Sequence, residues 1–573
     1  MKQLFALTAI LCSQATLAQI TFTNQTSWLD SDSIASSHPV GIADMNGDGL
    51  DDIVILKGGN EIIIEYQKST NNGFNEYLNT APEIGNNAWG MCLGDVDNNG
   101  FSDLLYGGAY DDLHLYAFTA QTSYNQSDLG ESLFLQGVNF ADIDNDGNLD
   151  VFACHDDGPS LILLGDGNGN FSLSSTEIDT DLPNGSDNSG NYGSCFVDID
   201  NDGDIDLYVA KCRQGVTDTT DYRRINILFE NNGNGTYTEN AAAWGINSSE
   251  QSWSADFGDI DNDGDMDLLM GQHTGEYLEL YVNNGNGTFS DITNSAGLSG
   301  IFPYHVIQTK MEDFDNDGFI DILVSGSSAY DIGMNNGDGT FDFSGTTNIG
   351  CPMNSFAIGD LNTDGFIDIY AVPGGYGSWN SSGSDSLYIN DGNSNNYLSI
   401  SLEGVQSNMS AIGTRVEAYG PWGVQIRDVR SGESYGIHNS LNVHFGIGSE
   451  AQVDSLVLKW PSGITDIYND IQGGQLAYYV EGQGGAISVW EEEKNTVEVY
   501  PNLIENSTII NVEGDLPNNT YVRLTDMSGK LVSNQKIKAN SFNFNTESLS
   551  KGVYLYSIRS NSKVFARGKI SYK

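Results

Sequence analysis

Short apolar runs separated by dense polar stretches cover most of the chain. In Phe140-Ala-Asp-Ile-Asp144 and Ile205-Asp-Leu-Tyr-Val-Ala210 the apolar residues have the spacing and content of strands. A second kind of run brackets an Asn-Gly turn. Phe229 to Tyr237, Tyr281 to Phe289 and Met334 to Phe341 each read as strand, tight hairpin, strand. The polar stretch that follows the first kind of run is one nine-residue pattern written seven times. It begins at Asp44, Asp95, Asp142, Asp198, Asp259, Asp313 and Asp360. These starts lie 47 to 61 residues apart, a period that belongs to propellers or solenoids. Each repeat predicts four strands: one before the polar loop, one after it and two around the Asn-Gly turn. Four-stranded units set radially make a β-propeller, and seven repeats predict seven blades.

The polar pattern carries candidate chemistry. Carboxylates or amides stand at positions 1, 3, 5 and 9, with glycine at 6. The candidate metal ligands are Asp44, Asn46, Asp48 and Asp52; Asp95, Asp97, Asn99 and Asp103; Asp142, Asp144, Asp146 and Asp150; Asp198, Asp200, Asp202 and Asp206; Asp259, Asp261, Asp263 and Asp267; Asp313, Asp315, Asp317 and Asp321; and Asp360, Asn362, Asp364 and Asp368. Side chains at 1, 3 and 5 converge only if the backbone curls tightly around a point, which glycine permits. A ring of hard oxygens suits calcium before magnesium. The first half reads like an EF-hand loop, but the last ligand falls at position 9 rather than at a glutamate 12, and the flanks are strands, not helices. A single copy could be no more than a polar hairpin turn. Seven copies with one ligand spacing predict up to seven Ca2+ ions.

The repeats resemble the FG-GAP/VCBS repeats of integrin α-chain propellers and of cartilage acidic protein relatives, from residue 20 to about 393. The seventh unit lacks its Gly-Thr-Phe strand. Ile20-Thr-Phe-Thr-Asn24 is expected to supply it and to close the ring without open edges. After about Asn395 the pattern changes. Leu398-Ser-Ile-Ser-Leu402, Ile412 to Val416, Gln425 to Gly432, His444 to Gly448 and Leu458 to Gly463 resemble an ASPIC/UnbV domain. That resemblance implies a small all-β domain packed against the propeller and brings no established chemistry. Farther on, Tyr500-Pro-Asn502, Asp526 to Lys530, Leu549 to Tyr554 and Gly568 to Lys573 resemble the C-terminal sorting domain of the type IX secretion system, although the usual Pro-Asn-Pro opening ends here in Leu503. It implies export by the type IX machinery across the outer membrane of a Gram-negative, Bacteroidetes-type bacterium, with the cargo released or held at the outer cell surface. The expected layout is a signal peptide over 1–18, a seven-bladed propeller over 19–394, the ASPIC/UnbV domain over 395–482, a linker over 483–496 and an Ig-like β-sandwich sorting domain over 497–573.

Acidic residues outnumber basic ones 78 to 23, a formal net charge of −55, which excludes nucleic acid as a partner. Within 497–573 the balance reverses, with 10 basic and 6 acidic residues. Met1 to Ala18 has the pattern of a secretory signal, and no later stretch is long and apolar enough for a transmembrane helix. Five cysteines follow the signal: Cys92, Cys154, Cys195, Cys212 and Cys351. An odd number at strand positions argues for buried free thiols, with Cys195 and Cys212 the one conceivable pair.

Gly432-Glu-Ser434-Tyr-Gly436 matches a nucleophile pattern, but that pattern acts only on a strand-to-helix turn, and here it follows an alternating strand. The histidines lack zinc spacing. The chain therefore reads as a secreted or cell-surface calcium-binding module for adhesion, with a surface glycan or extracellular protein as partner and no catalytic residues. The alternative is a calcium-dependent polysaccharide lyase or hydrolase, which needs a base beside the sugar. Alternating strand directions put the far ends of the second strands opposite the calcium loops. That face is expected to gather Lys211, Arg213, Arg223, Arg224, Trp89, Trp253 and Trp379, a basic cluster with aromatic faces suited to an acidic sugar. In the competing view, Arg223 and Arg224 pair with Asp218 and Asp221 in their own loop and the tryptophans pack between blades.

Overall fold

The computed structural model of the protein describes residues 20–573, except 32–33, 37, 58–60, 71, 81–87, 181–187, 274–277, 303–304, 327–329, 346–348, 350–352, 375–382, 484–496, 501–502, 505–506, 513–519, 527–530, 538–540, 546–551, 561–562 and 573. The signal peptide, the linker, Cys351 and Trp379 lie outside the described residues. The chain is almost entirely strands. The repeats build five four-stranded sheets and one eight-stranded sheet that joins two such units. The fourth unit is typical: Asn191–Val197, Asp206–Lys211, Ile227–Asn231 and Tyr237–Glu239 pair in that order, each antiparallel to the last. In every unit the nine-residue pattern joins the first strand to the second, and its ninth residue opens the second strand.

First strands are the most buried, as their apolar content requires; Asn191–Val197, Ser252–Gly258 and Met353–Gly359 are buried throughout. The first strand of each unit lies against that of the next, and Met353–Gly359 of the seventh lies against Val40–Ala43 of the first, so the units close into a ring. Adjacent sheets pack face to face through apolar clusters, with Phe152 edge-on to Phe196 at 6.2 Å and Tyr208 edge-on to Phe257 at 5.7 Å. The expected N-terminal strand is present. Phe22–Asn24 pairs antiparallel with Ser386–Asn390, matching Phe22 to Asn390, and completes the seventh sheet.

The next domain packs on the ring as expected. It holds a three-stranded sheet (Val443–Gly448, Asn396–Glu403, Gln475–Val480) and a four-stranded sheet (Gly423–Asp428, Arg415–Gly420, Gln452–Lys459, Thr465–Gln472). Its Ile412, Val416 and Leu458 share an apolar cluster with Val96, Phe140 and Leu149 of the ring. From Val497 onward, three- and five-stranded sheets form the last domain.

The ring's centre is occupied by a segment that no sequence pattern points to. Residues 429–440 of the second domain leave its sheets and run into the ring axis as a hairpin pinned by a Glu433–Ile437 bridge. His438 exchanges backbone bonds with Val40 and Ile42, Ser431 bridges Phe140 and bonds the Leu93 carbonyl, and the Ile358 amide donates to Asn439. Gln308 donates to the Tyr435 carbonyl at 2.9 Å, and the Tyr435 hydroxyl donates to Gln136 at 2.6 Å. Gly193 makes room for the hairpin, because a Cβ there would run into the Ser434 carbonyl. Ser434 is 1% exposed, and its hydroxyl accepts the Thr309 amide. Two charges from each partner meet in the axis. Lys310 lies 2.9 Å from Glu433 and 3.5 Å from Asp256, and Arg430 lies 2.9 Å from Glu433 and 3.2 Å from Asp256. Burial opposes the Glu433 charge, but Lys310 and Arg430 prevail and hold its carboxyl down at about 2. Cys92, Cys154, Cys195 and Cys212 are buried free thiols.

Candidate metal centres and ligand face

The seven loops share one hydrogen-bond scheme. The glycine at position 6 has positive φ throughout, from 82° at Gly365 to 96° at Gly203 and Gly318, and its N–H reaches the carboxylate at position 1, as Gly147 does to Asp142 at 3.0 Å. The side chain at position 5 accepts the N–H at position 7, for example Asp146 from Asn148 at 2.8 Å. The aspartate at position 9 accepts the N–H at position 2 with one oxygen and an N–H of the third strand with the other, as Asp150 does from Ile143 and Gly165, both at 2.8 Å. These bonds set the curl and turn the remaining carboxylate lone pairs inward.

Five loops gather three carboxylates each, with oxygens within 4.8 Å of one another: Asp95, Asp97 and Asp103; Asp142, Asp144 and Asp146; Asp198, Asp200 and Asp206; Asp259, Asp261 and Asp263; and Asp313, Asp315 and Asp321. The first and seventh loops carry an amide at position 3. There Asn46 leans on Asp52 and Asn362 donates to Asp364 at 2.8 Å. Among the described residues the buried Oδ1 atoms of Asp97, Asp198 and Asp313 have no hydrogen-bond partner. Burial, reinforced in most loops by neighbouring aspartates, pushes Asp95, Asp142, Asp198, Asp259 and Asp360 up to about 7 and Asp150 to about 8. Converging carboxylates, led in each of the five loops by a buried first-position aspartate, fit a hard divalent cation; no cysteine or histidine joins these clusters among the described residues. Arg415 lies 3.9 Å from Asp198, and the charge of Arg427 works against burial at Asp259 and Asp313.

Position 4 of the loops, which is not a ligand position, is also uniform. Apart from Gly47 and Thr363 it is asparagine, at Asn98, Asn145, Asn201, Asn262 and Asn316, always left-handed with φ between 56° and 63°. Its recurrence beside the ligands was the available signal. The second domain covers this face of the ring. Arg415 bonds the Asp198 carbonyl at 2.6 Å and the Asn201 side chain, His444 meets Asn316 at 2.6 Å, and Ser410 accepts the Asp95 amide at 2.8 Å.

At the opposite ends of the sheets, the basic and aromatic residues divide. Lys211 is 0% exposed and donates to Asn188 and Asn191 at 2.8 and 3.0 Å. Arg224 is buried and donates to the carbonyls of Ser249 and Val216. Arg223 grips Asp221 through two bonds of 2.9 and 2.7 Å and holds that carboxyl down at about 2. Arg213 bridges Asp156 and Asp157 at 3.1 and 2.7 Å. Trp253 is 1% exposed, stacked between Tyr192 and His273, whereas half-buried Trp89 stands edge-on to Phe134. Tyr435, at the hairpin tip, closes the axis beneath them, 5.7 Å from Trp253 and 4.7 Å from His38. Lys211, Arg224 and Trp253 thus serve packing in this structure, and Arg213, Arg223 and Trp89 keep partial exposure.

Comparison with known proteins agrees with this layout. The FG-GAP-like repeat profile matches residues 44–106, 95–153, 142–209, 216–270 and 313–371, the ASPIC and UnbV profile matches 404–486, and the secretion system C-terminal sorting domain matches 498–571. Cartilage acidic protein 1 from Mus musculus is 27% identical over 261 residues, 42% of this chain and 38% of that protein; the Homo sapiens protein is 26% identical over 261 residues, 42% and 37%. The chain thus spans well under two thirds of the length of these relatives. Among solved structures, an Agrocybe aegerita lectin that recognises non-reducing terminal N-acetylglucosamine aligns with TM-score 0.38 and 18% identity over 55% of this chain and 82% of its own. PorZ, a surface component of the type IX secretion system of Porphyromonas gingivalis, aligns with TM-score 0.28 and 11% identity over 94% and 70%. The sorting domain marks the protein for the cell surface of Bacteroidetes. No helix among the described residues is long and apolar enough to cross a membrane. The chain carries FG-GAP-like repeats, with an ASPIC/UnbV domain and a type IX C-terminal sorting domain behind them.

Proposed function

We propose that the protein is a calcium-binding propeller of the cell surface that serves as an adhesion module for glycan or protein. The observation that carries the calcium reading is the set of converging aspartate clusters, each led by a buried first-position carboxylate, three of them with an unpaired buried oxygen. When bound, calcium supplies the positive charge that the loops lack; the aspartates hold it and the glycines let the backbone curl. The ASPIC/UnbV domain roofs the loop face and its hairpin fills the axis, so an outside partner meets the opposite face and the sheet edges. There Arg213 and Arg223 offer guanidinium edges and Trp89 an aromatic face, with Lys211, Arg224 and Trp253 supporting them from below. The test is an array of surface polysaccharides probed with and without calcium and assayed for product release. Retention that needs calcium and releases no product is expected; released product would favour the lyase or hydrolase alternative. Binding by an Arg213→Ala, Arg223→Ala double variant at the wild-type level would move the ligand site elsewhere.

A further inference from the structure

We propose that loops four to seven form one coupled divalent-cation centre that loads cooperatively, with asparagine side chains that bridge adjacent loops carrying the coupling. This rests on the reading that the loops hold calcium. Asn201, Asn262 and Asn316 stand between ligand positions 3 and 5 of their own loops. Each amide donates to the position-6 glycine carbonyl of the next loop: Asn201 to Gly264 at 3.2 Å, Asn262 to Gly318 at 3.0 Å and Asn316 to Gly365 at 2.8 Å. The N–H of each accepting glycine in turn donates to the position-1 carboxylate of its own loop, Asp259, Asp313 or Asp360, at 3.1, 2.8 and 2.9 Å.

A second bond crosses the same three junctions. Asn283, Asn335 and Asn390 end the third strands of units five to seven. Their amides donate back to the position-2 carbonyls of the preceding loops, Ile199, Ile260 and Phe314, at 3.0, 2.9 and 2.8 Å. Their backbone N–H groups donate to the position-9 carboxylates Asp267, Asp321 and Asp368 of their own loops, each at 2.8 Å. Ligands of adjacent loops are therefore tied twice. These three asparagines are 2–3% exposed, and breaking such a buried bond strands an amide without water. A loop that curls around its ion holds its neighbour in the curled form, which is a coupling free energy between sites.

The other junctions are built differently. Position 4 is Gly47 in the first loop and Thr363 in the seventh, and Asn98 reaches the Gly167 carbonyl of a hairpin at 3.4 Å instead of a loop. From above, Arg415 and His444 hold the oxygens of Asn201 and Asn316, leaving their amides aimed at the next loop.

The experiment is calcium titration calorimetry on the full chain. Asn262→Gly removes the amide but suits the backbone, since Gly47 occupies the same position with φ of 76° in the first loop. Asn262→Ser, too short to reach Gly318, stands in should the glycine variant fail to fold. Asn145→Gly makes the same backbone change at a loop where no inter-loop bond is formed among the described residues, and serves as the control. The wild type is expected to bind a group of ions with a Hill coefficient above one. N262G should keep the stoichiometry, lower the Hill coefficient and raise the half-saturating calcium for that group about fivefold, the scale of one lost hydrogen bond. N145G should match the wild type. Independent sites in the wild type, or an unchanged slope in N262G, would overturn the coupling. No calcium binding at all would overturn the metal reading itself.

Discussion

Asp142 is 3% exposed and accepts the Asp146 and Gly147 amides at 3.0 Å each, yet its carboxyl stands at about 7. Two donors do not offset the lost water and the nearby charges of Asp146 and Asp144, whereas a divalent ion would. We expect Asp142→Ala to remove one calcium from the stoichiometry. It should also remove about 1.4 kcal/mol of calcium-dependent stability when calcium is at ten times the dissociation constant. Titration and chelator-referenced unfolding measure the two, and a full stoichiometry in the variant would rule out Asp142 as a ligand. Asp142 was legible in the sequence because its partners lie within nine residues, so spacing alone encodes the site. Asn262 was in plain view at position 4, but its acceptor Gly318 belongs to the next unit, and only the ring brings them together. Lys211 misled for a related reason. A lysine after a strand reads as a surface charge, and nothing local tells that Asn188 and Asn191 will cover it.

The axial hairpin depends on His438 remaining neutral. Its Nδ1 accepts the Gly432 amide at 3.0 Å and the Leu93 amide at 3.4 Å, with the Ser431 hydroxyl at 3.5 Å, and burial takes the imidazole down to about 3. Glu433 pulls the other way but does not prevail. The folded value lies below the unfolded value of about 6.5, so the folded state disfavours the proton. The resulting stabilisation is complete above pH 6.5 and is lost as pH falls from there toward 3. A proton on Nδ1 would set N–H against N–H, which works against the hairpin seat. Melting temperatures from pH 7.5 to 4.5 should therefore fall more steeply for the wild type than for His438→Asn, which keeps an acceptor but does not titrate. His38 and His444, also lowered by burial, are common to both proteins and cancel. Parallel acid limbs would refute the assignment. Elements made by local pattern were legible, down to the strand at Phe22–Asn24 that completes the seventh sheet. The hairpin was not. Gly432 and Gly436 look like loop glycines, and their need for no Cβ arises from the carbonyls of Val138 and Trp89, some 300 residues earlier.

At the scale of the molecule, we expect ring and ASPIC/UnbV domain to unfold as one unit and the last domain as another. The first two share an apolar cluster and the buried quartet of Asp256, Lys310, Arg430 and Glu433, so separating them would expose that apolar surface and break the Lys310–Glu433 and Arg430–Asp256 ion pairs. The strands from Val497 to Tyr572 pair only with one another among the described residues. Their charge, 10 basic residues against 6 acidic, is also opposite to that of a chain at −55 overall. A chain ending at residue 496 should therefore fold like the full protein but remain in the periplasm, which fractionation of the bacterium would show. Calorimetry of that truncated chain should give a single transition for ring and ASPIC/UnbV domain together. Chelation should lower that transition strongly. Seven loops at about 1.4 kcal/mol each approach about 10 kcal/mol, the size of a whole domain's stability. Two separate transitions would show that the axial hairpin does not bind the domains into one unit. A single transition indifferent to chelator would leave the carboxylates without their cation. Surface display without residues 497–573 would mean that export is read from somewhere else in the chain.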